Sequence, residues 1–510
     1  MYNYFYQWLV SLIWEVIFMS KISIIYPLTI DNISPNIYGH FAEHLGGVIY
    51  DGIYVGKDAS IPNVNGFRKY IIDKLKAINA PVIRWPGGCF AEMYDWRDGI
   101  GANRPTKKSI WTKSTDKYET NEVGLHEFVD FCENCGAKPY FASNVLFMDI
   151  KSTIDLMDYC FSPRGTSTLA LEREINGHPE PFDIPYWGIG NENWGDGGNM
   201  RPEFYADLYR IFSNSVRRFS EGKGNNRNGI EIYAGGANAS DYDWTHKFMS
   251  NIQASWKRID GYSFHFYTGF KSGGTPQNHT NDEWDEVISK TKYMQNLIDR
   301  HWSIIKAYDM DGSGKDGEYS SKLVIDEWGC WYPDGTGPTN DFHLYEQQSS
   351  IRDAVVTGIN LNIFNNNADK VKMANVAQLV NNLHCLFLSH NEHCITTPTY
   401  HVFDLFKTHQ GGTAIKTVCD NNNISVSASV KDEKTTLTIV NTSCTEAVQL
   451  TLDAFDKVIP NTVCGKIIYH DDIHAHNTFE NPNNVEPKDI SFDTTKPFTI
   501  PRGSVVSLIF

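Results

Sequence analysis

The chain has 510 residues, 45 of them Lys or Arg and 61 Asp or Glu, so its formal net charge is −16. Phosphate-rich partners demand concentrated cationic surface, and this balance argues against nucleic acid or an anionic membrane as a partner. Apolar residues at 41% and charged residues at 21% describe a globular chain with a large core and exclude wholesale disorder. Aromatic residues reach 13%, with 13 Trp and 26 Tyr, which either fill cores or offer flat faces to sugar rings.

The first segment, MYNYFYQWLVSLIWEVIFMS, is apolar, but Gln7 and Glu15 interrupt it, and no Lys or Arg precedes it. It lacks the basic front and small-residue cleavage site of a secretory signal and is short for a membrane span. The expectation is that translation starts at Met19, that residues 1–18 lie outside the folded domain, and that the protein is cytoplasmic; secretion is the alternative. Within 19–35 the alternating run KISIIYPLTI reads as a strand that pairs into a later β domain.

Over 36–391, short apolar runs alternate with helical patterns. The strand candidates are NIYGHFAEHLG, APVIRWPGG, KPYFASNV, PYWGIGNEN, IEIYAGGAN, IDGYSFHFY, KLVIDEWG and ANVAQLV. Eight parallel βα units predict a (β/α)₈ TIM barrel of the α/β class, whose chemistry gathers at the C-terminal ends of the strands. Most of these runs finish in His, Glu, Arg, Asn or Tyr. Over 392–510, NISVSASVKDEKTTLTIVNTS, AVQLTLDAF and GSVVSLIF alternate between turn signals without helices, which predicts an antiparallel β-sandwich. Ten cysteines show no repeated spacing, and the one close pair, Cys132 and Cys135, has no second pair to complete a metal site, so reduced thiols and no bound metal are expected.

Two carboxylates stand out. In WGIGNENWG (187–195), Asn191 and Glu192 follow an apolar strand inside a Gly-rich turn. Walls formed by Trp187 and Trp194 would raise the Glu192 pKa and suit it to general acid work, although an N-cap or ion-paired Glu fits the same pattern. In KLVIDEWGCWY (322–332), Glu327 follows the run LVI and is flanked by Trp328 and Trp331. It lies 327 − 192 = 135 residues after Glu192, three βα units on, which puts the two on strands four and seven facing one mouth. Opposed carboxyls about 5 to 5.5 Å apart are the equipment of retaining glycoside hydrolysis. Period-two alternation puts Asp326 on the opposite side of the strand, in a structural role.

In chain order, GHFAEHLGG, RWPGGCFAEMYDWRDGIG, WGIGNENWG, FHFYTG, IDEWGCWY and NVAQLVN resemble the α-L-arabinofuranosidases of glycoside hydrolase family 51 over about residues 36–382. The resemblance implies a barrel with a β-sandwich and net retention through a covalent arabinosyl-enzyme, with Glu192 as acid/base and Glu327 as nucleophile. It implies that Asn191 bonds the sugar 2-hydroxyl and that Glu43 and Gln378 hold the sugar, although Glu43 could also be an ion-paired residue. Arg84 would orient the nucleophile and hold its pKa down. His265 and Tyr267 share a strand face and would line the pocket near Glu327, with Trp331 as an apolar wall. Cys89 stands where the family often carries Asn, and a thiol is a poor substitute for an amide, which leaves its backbone groups for substrate.

The implied function is an exo-acting α-L-arabinofuranosidase that removes terminal arabinofuranose from arabinan or arabinoxylan oligosaccharides without metal or organic cofactor. A homo-oligomer is implied too, the hexamer being frequent in the family. Another retaining barrel glycosidase, such as a β-xylosidase or endoglucanase, is the alternative enzyme. A non-catalytic carbohydrate-binding protein is the alternative of another class, but binding alone needs no opposed acid and nucleophile.

Overall fold

The structure is a computed structural model that describes residues 19–112, 118–220, 230–252, 259–269, 272–309, 321–333, 335–339 and 343–510. Residues 1–18, expected to precede the folded domain, lie outside the described residues.

Strand β1 (Ser20–Asn32) precedes eight strands that close into a barrel: β2 (Gly39–Phe41), β3 (Val82–Trp85), β4 (Lys138–Ser143), β5 (Tyr186–Ile189), β6 (Glu231–Asn238), β7 (Gly261–Thr268), β8 (Lys322–Cys330) and β9 (Val371–Val376). Each pairs in parallel with its neighbour in sequence, and β9 closes on β2. The strands correspond to the eight apolar runs, because a strand covered by helices outside and filled by side chains inside must be apolar on both faces. Val82, Tyr140, Tyr233, Val324 and Met373 pack the interior as one cluster, a plugged floor beneath the mouth.

Eight further strands follow: β10 (Thr413–Cys419), β11 (Ile424–Lys431), β12 (Lys434–Asn441), β13 (Val448–Phe455), β14 (Thr462–Ile468), β15 (Lys488–Asp493), β16 (Phe498–Ile500) and β17 (Ser504–Ile509). With β1 they form a nine-stranded sheet in the order β15-β14-β17-β12-β11-β10-β1-β13-β16. It is antiparallel except where β1 runs parallel to β13. Apolar residues from strands far apart in this order, among them Val463, Leu437, Ile22, Leu450 and Ile500, meet in one core, so the sheet wraps around its own alternating face.

Helix Ile351–Asn365 joins this sheet to the barrel and is buried along almost its whole length. A helix buried on every side must satisfy its polar groups internally. Asn362 Oδ1 accepts from Ser427 and Thr438 hydroxyls at 2.7 Å each, and Asn365 Oδ1 accepts from Tyr38 at 2.9 Å on the barrel side. Gly358 has no room for a Cβ, which would meet Val440 Cγ2 at 2.7 Å, so the helix seats closely on the sheet.

Candidate active site

The strand ends bring the ten expected site residues together: eight are joined through hydrogen bonds, ion pairs and ring contacts centred on Glu327, and Glu43 and Gln378 form a bonded pair beside them. Glu327, on β8, is the hub. Its Oε1 accepts from Arg84 Nη1 at 2.8 Å, and its Oε2 accepts from Tyr267 Oη at 2.7 Å and lies 3.5 Å from His265 Nδ1. Burial alone would push this carboxyl up. His265, Arg84 and the Tyr267 hydroxyl outweigh burial and hold it below the ordinary range.

Glu192 lies just beyond β5 in a left-handed conformation (φ 44°), after Gly190 at φ 79°. Its Oε1 meets His265 Nδ1 at 2.8 Å, and its Oε2 accepts from the Cys89 thiol at 3.6 Å. His265 therefore stands between the two carboxylates, and one ligating atom from each of the three lies within 4.8 Å of the others. Burial opposes a charged His265, but Glu327 and Glu192 raise its pKa above the usual imidazole value. The Glu192 side chain is 17% exposed against 6% for Glu327, so Glu192 faces the open side of the pocket.

The remaining side chains form the floor and wall. Arg84 also donates from Nη2 to Asn191 Oδ1, and the guanidinium lies over the Phe41 ring at 4.7 Å. Asn191 Nδ2 and Gln378 Oε1 are buried and have no hydrogen-bond partner among the described residues, so each presents a polar atom that a bound hydroxyl can satisfy. Glu43 accepts from the Phe90 backbone N–H at 3.0 Å and from Gln378 Nε2 at 2.9 Å. Burial and the charge of Glu327 push its pKa up to about 7. The two glycines of the PGG turn follow from this crowding. A Cβ on Gly87 would meet Glu43 Cγ at 2.4 Å, and one on Gly88 would lie about 3.1 Å from both Glu43 oxygens and 3.2 Å from Glu327 Oε1. Trp331 packs edge-on to Tyr267 at 5.3 Å and to Tyr345 at 5.0 Å, forming an aromatic wall. Burial and Glu192 keep the Cys89 thiol protonated, a donor rather than a nucleophile.

Two family models match the chain, the α-L-arabinofuranosidase 1 domain over residues 74–268 and the α-L-arabinofuranosidase C-terminal domain over residues 326–504. An intracellular exo-α-L-arabinofuranosidase of Bacteroides ovatus is 36% identical over 497 residues, covering 93% of this chain and 92% of the relative. The chain belongs to the family 51 α-L-arabinofuranosidases. The crystal structure of the family 51 arabinofuranosidase from Xanthomonas axonopodis pv. citri superposes with a TM-score of 0.86 at 33% identity, covering 96% of this chain and 99% of that one. The arabinose complex of the Thermotoga maritima α-L-arabinofuranosidase gives 0.83 at 26% identity, with coverage of 96% and 99%.

Two expectations need correcting in this family 51 member. Trp187 does not wall Glu192. It points outward from β5, fully buried against Phe141 and bonded to Ser143 Oγ at 3.0 Å, because alternation gives Gly188 the inward position. Asp326 does not point away from the barrel interior. The register with β7 slips between Ser263 and His265, so one extra residue of β8 is accommodated and strict alternation fails. Asp326 turns inward one layer below Glu327, bonded by Tyr140 Oη at 3.1 Å and Asn375 Nδ2 at 3.4 Å.

Sequence reasoning passed over Glu92. Its carboxylate accepts from the backbone N–H groups of Val145 and Leu146 at 3.1 Å each, from Asn193 Nδ2 at 3.1 Å and from the Asn191 N–H. It thereby fixes the turn that carries Asn191 and Glu192. Burial raises its pKa to about 7. The one signal was an acid inside the otherwise apolar stretch CFAEMY.

Proposed function

We propose that the protein is a retaining, exo-acting α-L-arabinofuranosidase in which Glu327 is the nucleophile and Glu192 the acid/base. The observation that carries this reading is the opposition of the two carboxylates across His265, an oxygen of each lying within 4.8 Å of the other, which is near the spacing of double displacement and well short of the about 6.5 to 9.5 Å that inversion needs. Glu327 is the residue bound by a guanidinium, a phenol and an imidazole, as an ionised nucleophile should be, and Glu192 faces the side from which a leaving group departs and water enters. In the first step Glu327 attacks the anomeric carbon while Glu192 protonates the glycosidic oxygen. In the second, Glu192 takes a proton from water, which displaces Glu327. Arg84, Tyr267 and His265 orient the carboxylates, and Asn191, Glu43, Gln378, Trp331 and the backbone at Cys89 hold the sugar.

The substrate class follows from the relatives, whose names specify exo-acting arabinofuranosidases, so terminal arabinofuranose of arabinan or arabinoxylan oligosaccharides is the proposed target. The relatives described as intracellular support a cytoplasmic enzyme. Among the described residues no helix is long and apolar enough to cross a membrane. A homo-oligomer is proposed on the family's habit and is checked by light scattering.

The roles are tested by azide rescue on an aryl α-L-arabinofuranoside. Glu192→Ala retains a nucleophile, so two inversions give the α-azide; Glu327→Ala forms no intermediate, so a single displacement gives the β-azide. The reverse pattern, read by NMR, overturns the assignment, and faster wild-type turnover of the aryl xyloside or glucoside overturns the substrate class.

A further inference from the structure

Beside the sugar pocket, three ligating side chains converge from separate loops. Asp51 lies in the segment after β2, His343 in the segment after β8, and His390 ends the strand Phe387–His390, and one ligand atom from each lies within 4.8 Å of the others. Asp51 Oδ2 is 3.4 Å from His343 Nε2 and 3.4 Å from His390 Nδ1. Charge-assisted hydrogen bonds are shorter, about 2.7 to 2.9 Å. The two 3.4 Å separations are longer than that and match the ligand–ligand edge of a tetrahedron whose ligands stand about 2.1 Å from a central ion.

The other oxygen of the same carboxylate is already engaged. Asp51 Oδ1 accepts from the Asn391 backbone N–H at 3.3 Å and faces Arg68 Nη2 at 3.7 Å. Arg68 is itself anchored to the backbone carbonyls of Gly52, Asp51 and Asn391 at 2.8, 3.1 and 2.7 Å. This division fixes the carboxylate plane and leaves Oδ2 to the two imidazoles, the kind of outer support that orients metal ligands.

We propose that Asp51, His343 and His390 bind a divalent zinc-type ion that cross-links three loops at the barrel mouth. Two imidazole nitrogens and one carboxylate oxygen suit Zn²⁺ or a similar late first-row ion, whereas Ca²⁺ and Mg²⁺ take oxygen ligands. The role is structural. His343 packs on Gly47, where a Cβ would come within 2.6 Å of its ring. Two residues on, Tyr345 packs against Trp331 at 5.0 Å, and the Leu344 carbonyl between them accepts from Asn382 Nδ2 at 2.7 Å. Pinning His343 thus steadies the segment that backs the aromatic wall of the sugar pocket, while neither carboxylate of the opposed pair touches the ion.

The full chain, stripped with chelator and dialysed, is titrated with Zn²⁺ by calorimetry and with Co²⁺ by visible absorption, and bound metal is counted by mass spectrometry. One equivalent of Zn²⁺, a four-coordinate Co²⁺ spectrum and a Tm raised by a few degrees are expected. Asp51→Asn and His390→Gln should each weaken binding by about tenfold or more and abolish the Tm response. Both are expected to keep the metal-free Tm and the rate on an aryl arabinofuranoside, so that metal binding is judged on folded enzyme. Absence of binding overturns the proposal, as does binding undiminished in both variants. Zn²⁺ inhibition competitive with arabinose overturns it too, because it would place the ion among Glu192, His265 and Glu327.

Discussion

The hydrogen bond from Tyr267 to Glu327 offers a sharp test, because Tyr267→Phe removes one hydroxyl and keeps the ring. The phenol donates to Glu327 Oε2 at 2.7 Å, and the ring is held against Trp331 at 5.3 Å, so Phe preserves the packing while the carboxylate loses one of its partners. A hydrogen bond to a charged group contributes about 1.5 to 3 kcal/mol. At about 1.36 kcal/mol per pKa unit, its loss should raise the Glu327 pKa by roughly 1 to 2 units, because the bond favours the ionised form. A nucleophile must be ionised, so activity lost on acidification should be lost at a higher pH in the variant. The assay is kcat/KM on an aryl arabinofuranoside across the acid limb, with the basic limb as internal control. Arg84 and His265 still face the carboxylate, so the shift should stop short of abolishing activity at neutral pH. An acid limb within about 0.3 unit of wild type in a folded variant would refute the reasoning, since a lost bond of even about 0.4 kcal/mol would move it that far.

Burial raises both Glu43 and Glu92 to about 7, so the folded state holds protons that the unfolded chain has released. Their contribution to stability is complete below the ordinary carboxyl range and is lost as pH rises through about 7, so Tm should fall between pH 5 and 8 and Glu43→Gln should flatten that slope. Glu92→Ala leaves three backbone N–H groups without their acceptor and should lower both Tm and kcat, while a variant with unchanged kcat would show that the Asn191–Glu192 turn does not depend on it. Cys89→Asn replaces a weak thiol donor to Glu192 by an amide and should stay within about tenfold of wild-type kcat/KM, roughly 1.4 kcal/mol; a larger loss would show that the thiol itself is needed. Initial rates at ambient temperature should survive excess chelator, because the proposed reaction is carried by carboxyls; reversible loss restored by a divalent ion would contradict this.

What could be read from the amino acids depended on how local the cause was. Barrel strands are apolar on both faces and separated by helical spacing, so each announces itself in its own run, and the 135-residue interval between Glu192 and Glu327 needs only a count of βα units. The inward turn of Asp326 was not legible, because a bulge is fixed by the register with the neighbouring strand rather than by the DEW tripeptide. Trp187 lies only five residues before Glu192 in the chain but on the outward face of β5, so nearness in sequence does not give nearness in space. Glu92 escaped notice because its partners are backbone groups of two other loops, and Asp51, His343 and His390 share no spacing at all until the barrel closes.

The mouth holds more acid than base, and this explains how one carboxylate stays charged. Glu43, Asp326 and Glu327 are all buried around Arg84 and His265, with Glu192 at the open edge. Three carboxylates cannot all ionise at such short range without raising one another. The pKa shifts divide the burden: Glu43 and Asp326 are pushed up, burial being the leading cause in both, while Glu327 alone among the three is brought down. A proton therefore rests on Glu43 before it rests on the residue proposed to attack. Arg84 makes this division geometric as well as electrostatic, since one Nη donates to Glu327 and the other to Asn191. A lysine would supply the charge at a single point and could not hold both groups in that fixed fork, so charge at this position is not sufficient without its planarity.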